Sequence, residues 1–335
     1  MAPRSDAERG AAAEIVFEDV TKRYAGRRDT AVTNLSFEVP AGKICVLIGP
    51  SGSGKTTAMK LVNRLISITE GDITIDGRSV KSLDETELRR GIGYVIQQIG
   101  LFPHMSVEDN IGTVPRLLGW QKARIRERVR ELLELVGLDP EEDAKRYASQ
   151  LSGGQRQRIG VARAMAADPP IMLMDEPFGA IDPITRERLQ DDFLRLHNEV
   201  RKTVVFVTHD IDEAIKMGDR IAILRPGGVL AQYATPDEIL ASPADDFVAN
   251  FVGADRGLKR LSLRRIDECP LDPLAAPREN GLRLEGRTTL RDALSRMLSE
   301  GSPAIVVVDD AGTPIGTITV DTVSRLLTSK DEVRS

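Results

Sequence analysis

Apolar positions along this chain fall into two rhythms, one of strands and one of helices. Lys43–Ile48, Ile171–Met174 and Thr203–Val207 are almost unbroken apolar runs, which predicts strands buried on both faces of a sheet. Glu14–Val20 alternates apolar with polar residues and reads as an edge strand; Leu35–Val39, Gly71–Ile75 and Ile92–Ile96 read as further strands. Helical spacing marks Lys55–Leu65, Gln155–Ala167 and Pro183–Val200. From Ser106 to about Gly137 the pattern is again helical, rich in Arg and Glu, and reads as a helical insertion. Strands alternating with helices predict an α/β fold built on a parallel sheet covered on both faces.

The rhythm changes after Gly253. Arg256–Asn280 is charged, contains prolines and has weak periodicity, as a connector would. A compact unit follows: helix Thr289–Glu300, strand Ala304–Val308, a turn at 309–312, strand Ile315–Thr319 and helix Val320–Leu327, a hairpin flanked by helices. The expected organisation is a disordered tail at 1–13, an α/β domain at 14–253 with a helical subdomain at about 101–167, a linker at 254–285, and a small α+β unit at 286–328.

Composition narrows the picture only a little. Of 335 residues, 41% are hydrophobic and 29% charged, as in ordinary globular chains. A net charge of -5 argues against a dedicated nucleic-acid binder. The two cysteines, Cys45 and Cys269, have no zinc spacing; Cys45 sits in an apolar run and reads as a buried, inert thiol. No stretch reaches the roughly 20 apolar residues of a membrane helix. The polar, alanine-rich start lacks the apolar segment of a secretory signal. If the protein serves a membrane, the spanning parts belong to other chains.

Candidate chemistry starts at Gly49-Pro50-Ser51-Gly52-Ser53-Gly54-Lys55-Thr56, a G-x-x-x-x-G-K-[ST] loop between a strand and a helix. Its glycines let backbone N–H groups turn towards a phosphate, and the following helix adds the positive end of its dipole. Lys55 is expected to reach the β/γ-phosphates of ATP and the Thr56 hydroxyl to ligate Mg²⁺, with Thr57 beside them. The strand Ile171–Met174 runs into Asp175 and Glu176. Asp175 at the strand tip is suited to the metal site, and Glu176 to taking a proton from an attacking water. Leu151-Ser152-Gly153-Gly154-Gln155 precedes a helix, so Ser152 and the glycine amides form an anion-binding helix start; read alone, they are equally a helix cap.

Together with the loop upstream, Leu151–Gln155 closely resembles the signature motif of ATP-binding cassette (ABC) proteins, and the resemblance extends from about Ile15 to Gly253. It implies an ABC nucleotide-binding domain that sandwiches ATP between two copies, Ser152, Gly153, Gly154 and Gln155 of one meeting the γ-phosphate held by the other. It further implies that Tyr24 stacks on adenine, although an ordinary core or surface tyrosine fits that position too. Gln97, next to Gln98, would sense Mg²⁺ and water; Asp182 would touch the partner copy; His209 would bond the γ-phosphate. His197 has no motif and reads as a surface residue. Leu101-Phe102-Pro103-His104 is similar to the stretch that meets the permease.

Three function classes compete: an importer's ATPase, a soluble ABC ATPase acting on nucleic acid or ribosomes, and a nucleotide-binding regulator without turnover. The cassette is single and uninterrupted, against the second class, and Glu176 and His209 are intact, against the third. Lys60–Ile66, Tyr94–His104 and Asp175–Arg186 are similar to ATPases of quaternary-amine importers, for glycine betaine, carnitine or choline, although an importer of another solute stays open. The tail from Leu290 to Leu327 resembles one CBS motif, with Leu261–Gly286 at best a degenerate second. The partners this implies are a second copy, integral membrane permease subunits and, indirectly, an extracytoplasmic solute-binding protein, with the chain on the cytoplasmic face of the membrane. No nucleic-acid partner is expected.

Overall fold

The computed structural model describes residues 11–26, 29–96, 100–179, 181–274 and 282–328, and the chain divides into two units, 1–235 and 236–335. The strands of the first unit are β1 (Ile15–Arg23), β2 (Thr30–Val39), β3 (Ile44–Ile48), β4 (Glu70–Ile75), β5 (Arg78–Ser79), β6 (Ile92–Val95), β7 (Ile171–Asp175), β8 (Thr203–Val207), β9 (Arg220–Arg225) and β10 (Val229–Ala234). Six of them form one sheet in the order β10-β9-β3-β8-β7-β6, and β2-β1-β4-β5 form another.

In the six-stranded sheet β9, β3, β8, β7 and β6 are parallel, and β10 closes the edge antiparallel to β9. Every residue of β3, β7 and β8 is buried, as their unbroken apolar runs require. The crossover from β7 to its parallel neighbour β8 carries the helix Pro183–Val200, and the helix Lys55–Val62 leads from β3 to β4 of the second sheet. The expected parallel sheet is the five strands β9, β3, β8, β7 and β6, to which β10 and the second sheet, where β1 pairs antiparallel with both β2 and β4, add antiparallel pairing. Flanked on both sides, β1 is therefore not an edge strand; Ile15, Phe17 and Val20 bury one face, and alternation reports the face, not the neighbours. Ala13, the last residue of the expected tail, is fully buried.

Between β6 and β7 the helical segment contains Val107–Ile111, Thr113–Leu117, Lys122–Leu135 and Pro140–Asp143, followed by the helix Gly153–Met165. Ile125, Val129, Leu132 and Leu133 make the buried stripe of the Arg- and Glu-rich helix, at the spacing an amphipathic helix needs. His197, read from sequence as a surface residue, is 7% exposed; it lies on the inner side of Pro183–Val200, near Phe193, with Nε2 at 2.8 Å from the Lys202 carbonyl.

The second unit holds β11 (Arg283–Glu285), β12 (Ala304–Val308) and β13 (Pro314–Thr319) in one sheet, with β11 parallel to β12 and β13 antiparallel to it. Its core joins Leu290, Ala293 and Met297 of one helix to Ile305, Val307 and Ile318, and also takes in Leu261 and Ile266. The unit thus starts before 286. Arg260 makes a forked ion pair with Asp237, at 2.6 and 3.0 Å, and Lys259 is buried, so this stretch is packed structure where a solvated linker was expected.

Candidate functional site

Residues Gly49–Thr56 leave the end of β3 and enter the helix Lys55–Val62. The tightness of the turn explains its glycines. Gly54 has φ of +82°, and a Cβ there would lie 2.2 Å from the Ala31 carbonyl oxygen; at Gly49 a Cβ would lie 2.2 Å from that of Leu224. Lys55 Nζ lies along the loop, donating to the Gly49 and Pro50 carbonyls at 2.7 and 3.0 Å. Burial pushes its ammonium below the usual lysine value, while Glu176 and Asp175 pull it back up.

The end of β7 faces this loop. The Thr56 hydroxyl donates to Asp175 Oδ1 at 3.0 Å. Burial raises the Asp175 carboxyl above its ordinary value, against the hydrogen bond from Thr56 and the charges of Lys60 and Lys55. Glu176 follows with φ of +46°, a conformation rare outside glycine, and its N–H donates to the Val207 carbonyl at 2.9 Å. This ties it to the end of β8, from which the chain continues into His209. His209 Nδ1 lies 3.2 Å from Glu176 Oε1. Four of the residues singled out from sequence, Thr56, Asp175, Glu176 and His209, thus meet at the carboxyl ends of neighbouring parallel strands, where open α/β sheets bind ligands.

Tyr24 borders a second part of the same region, a cleft shared with Gly52, Gly54 and Thr57 of the loop. Ser152 lies elsewhere, capping the helix Gly153–Met165: its Oγ accepts from Gln155 N at 3.2 Å and its N–H donates to Gln155 Oε1 at 3.0 Å. A separate cleft brings Ser152, Gly153, Gly154 and Gln155 together with Asp182. Asp182 caps Pro183–Val200 by accepting from Thr185 N at 3.0 Å, which holds its carboxyl below the ordinary range. Pro50, Ser51 and Ser53 sit in the loop, Ser53 fully buried. Gln97 lies outside the described residues. Sequence reasoning passed over Lys60 as a charge acting on Asp175, and over the buried pair Gln190–Glu213 beside His209; no spacing along the chain ties them to those partners.

The loop suits a polyphosphate, since its shape excludes side chains and its lysine is already turned onto loop oxygens. The Thr56–Asp175 pair offers one hydroxyl and one carboxylate, hard oxygens of the kind Mg²⁺ takes beside phosphate and water. Among the described residues no cluster of three His, Cys, Asp or Glu side chains forms a metal cage.

Comparison with known proteins agrees with this geometry. The family model described as ABC transporter matches residues 32–179. The osmoprotectant import ATP-binding protein OsmV of Salmonella typhimurium is 50% identical over 306 residues, covering 90% of this chain and 78% of that protein. The choline transport ATP-binding protein OpuBA of Bacillus subtilis is 47% identical, over 93% of this chain and 80% of its own length. Among solved structures, the dimeric structure of a bacterial ABC transporter cassette superimposes with a TM-score of 0.60 at 36% identity, covering 66% of this chain and 98% of that one.

Proposed function

This chain belongs to the ABC transporter ATP-binding family and is an ATP hydrolase of the transport-coupled kind; from that premise we propose that it energises an importer of quaternary-amine osmoprotectants. The observation that carries the hydrolytic part is the meeting of Glu176 with His209, 3.2 Å apart, one residue beyond the Thr56–Asp175 pair. Similarity to relatives named for osmoprotectant and choline transport supports the solute class.

The residues take these roles. Tyr24 stacks on adenine; the 49–57 loop surrounds the phosphates, with Lys55 leaving its loop carbonyls for the β/γ-phosphate oxygens. Thr56 and Asp175, with Gln97, would hold Mg²⁺, which would neutralise phosphate charge. Glu176 takes the proton as the water oxygen bonds to the γ-phosphorus and the bond to ADP breaks. His209 steadies the γ-phosphate and the carboxylate beside it. Ser152, Gly153, Gly154 and Gln155 complete the site of a second copy, and Asp182 touches that copy. Among the described residues no helix is long and apolar enough to cross a membrane. In this reading permease subunits hold the chain at the cytoplasmic face, and Phe102, 41% exposed beside His104, belongs to that contact. A solute-binding protein acts on the far side.

For the tail we propose a CBS-like regulatory unit that gates transport in response to ionic strength, since exposed charge contacts weaken as salt rises. Because Arg260 is tied to Asp237, a cut after Gly253 would split the second unit, and a cut after Thr235 is the cleaner test. The truncated chain should keep ATPase activity while the reconstituted transporter loses its salt response; an unchanged response places regulation elsewhere. The solute is tested in vesicles carrying the whole transporter, by uptake of labelled glycine betaine, carnitine and choline. ATP hydrolysis with no uptake of any of the three would overturn the assignment.

A further inference from the structure

The first unit buries a carboxylate that the chemistry above does not use. Glu213, in the helix Ile211–Met217 that follows His209, is 8% exposed. Gln190 Nε2, equally buried, donates to Glu213 Oε1 at 2.9 Å, and the Thr208 hydroxyl donates to the same carboxylate. Burial pushes the Glu213 carboxyl above its ordinary value and Asp210 adds to this, while the two hydrogen bonds and the Arg186 guanidinium hold it down. Withdrawing a carboxylate from water costs folding free energy that an apolar side chain of similar volume would not. Stability is a poor account of Glu213, and its neighbours supply a better one.

Those neighbours are the residues on either side of His209. Thr208 is 1% exposed, and its Oγ1 accepts from Asp210 N at 3.1 Å, so the turn is joined beneath the histidine. Asp210 Oδ1 accepts from the N–H groups of Asp212 and Glu213 at 2.9 and 3.3 Å. Glu213, Thr208, His209, Glu176 and Arg186 border one small recess. Gln190 and Arg186 both come from Pro183–Val200, the helix capped by Asp182, and Arg186 Nη2 donates to the Ile181 carbonyl at 2.9 Å. His209 itself is 66% exposed, and among the described residues its side chain is oriented by the 3.2 Å contact to Glu176, so its placement depends on the turn that carries it.

We propose that Glu213 is a positioning residue for hydrolysis, fastening the Thr208–Asp210 turn to the Pro183–Val200 helix so that His209 is held against Glu176. The inference rests on Glu176 and His209 being the pair that acts on ATP. The test uses the purified full-length chain and compares Glu213→Met, Glu213→Gln and Glu176→Gln. Glu213→Met keeps the volume and removes both hydrogen bonds; it should melt no lower than wild type and keep KM for ATP within about twofold, yet lose about tenfold in kcat. Glu213→Gln can accept from Thr208 through its carbonyl and donate to a turned Gln190 amide, and should restore most of the turnover. A purely structural role would lower melting and turnover together and would not be rescued selectively. If Glu213→Met does not fold, Gln190→Met removes the other end of the bond and carries the same expectation of lower kcat at constant KM. Wild-type kcat in the folded variant, with Glu176→Gln inactive, overturns this inference alone; turnover persisting in Glu176→Gln overturns the catalytic pair and the inference with it.

Discussion

The Gly49–Thr56 loop and the Leu151–Gln155 turn are both glycine-rich helix starts, and the chain treats them differently. At the loop, Ser53, Lys55 and Asp175 are at most 8% exposed, Lys55 donates to loop carbonyls, Asp175 accepts from the Thr56 hydroxyl, and a Cβ on Gly54 would strike the Ala31 carbonyl. At the signature turn, Ser152 and Gly153 are exposed, and a Cβ on Gly153 would meet nothing within 4 Å. Neither Gly153 nor Gly154 has a positive φ. The fold itself demands glycine at 54. Among the described residues nothing demands it at 153, which faces the surface that the proposed second copy would approach. One half of the proposed machinery is bonded within a single chain; the other presents an exposed, self-capped helix start that, in the proposed dimer, a second copy would meet.

The largest expected effect breaks the half bonded within one chain. Glu176→Gln keeps the Thr56–Asp175 pair and the loop, so ATP should still bind while phosphate release falls by about a hundredfold or more. The ATP-bound chain should then accumulate as a dimer by size-exclusion chromatography. Phosphate release near the wild-type rate would remove Glu176 from the mechanism.

The second prediction sets the halves against each other. Lys55→Ala damages one side and Ser152→Arg the other, so neither variant alone can form an intact composite site. In a mixture both lesions can fall on one site and leave the other whole. ATP-dependent association should appear in the mixture and in neither variant alone, with the Glu176 change present in all chains to prevent turnover. If wild-type chains carrying only Glu176→Gln fail to associate with ATP, the partner-completed site is wrong.

The glycines themselves sharpen the contrast at smaller cost. Gly54→Ala forces a side chain into a left-handed backbone and against a carbonyl, and should lower the melting temperature by several degrees. Gly153→Ala has open space and a helical position that favours alanine, so melting should hold or rise slightly. Its ATP-dependent association should nonetheless weaken, because the added methyl meets the incoming partner. Equal melting losses in the two variants would erase the distinction drawn above.

Legibility from sequence follows the same division. The Gly49–Thr56 loop and the Asp175–Glu176 end were readable because a strand-to-helix switch fixes where each residue points. Pro183–Val200 and Thr203–Val207 came out with the expected bounds, since an uninterrupted period leaves no choice of register. What stayed hidden depends on contacts distant along the chain. Alternation in β1 could not reveal that β4 covers its second edge. The Arg260–Asp237 pair, 23 residues apart, draws Pro236–Ala241 into the second unit, although the change in rhythm suggested a boundary at 253. Glu213 and Gln190 look like ordinary polar helix residues until β8 and the long helix bring them together.

The smallest effect concerns how firmly Asp182 is presented, through the far end of the helix it caps. His197 sits one turn before the end of Pro183–Val200, buried beside Phe193, and bonds the Lys202 carbonyl at 2.8 Å. Burial holds its pKa below the ordinary 6.5; the Lys202 carbonyl and Asp219 oppose this, and Lys43 and Arg201 add to it. A histidine with a lowered folded pKa binds its proton more readily in the unfolded chain. Its contribution is therefore whole above about pH 6.5 and is lost as the pH falls from there towards the folded value. Wild type should lose a few degrees of melting temperature between pH 7.5 and 5.5 beyond the loss in His197→Gln, whose amide can still donate to the Lys202 carbonyl but does not titrate. The variant should melt lower than wild type at pH 7.5 and show the flatter pH dependence. Parallel pH profiles for the two proteins would mean that His197 has the same pKa in the folded and unfolded chain, so that its burial does not couple stability to pH.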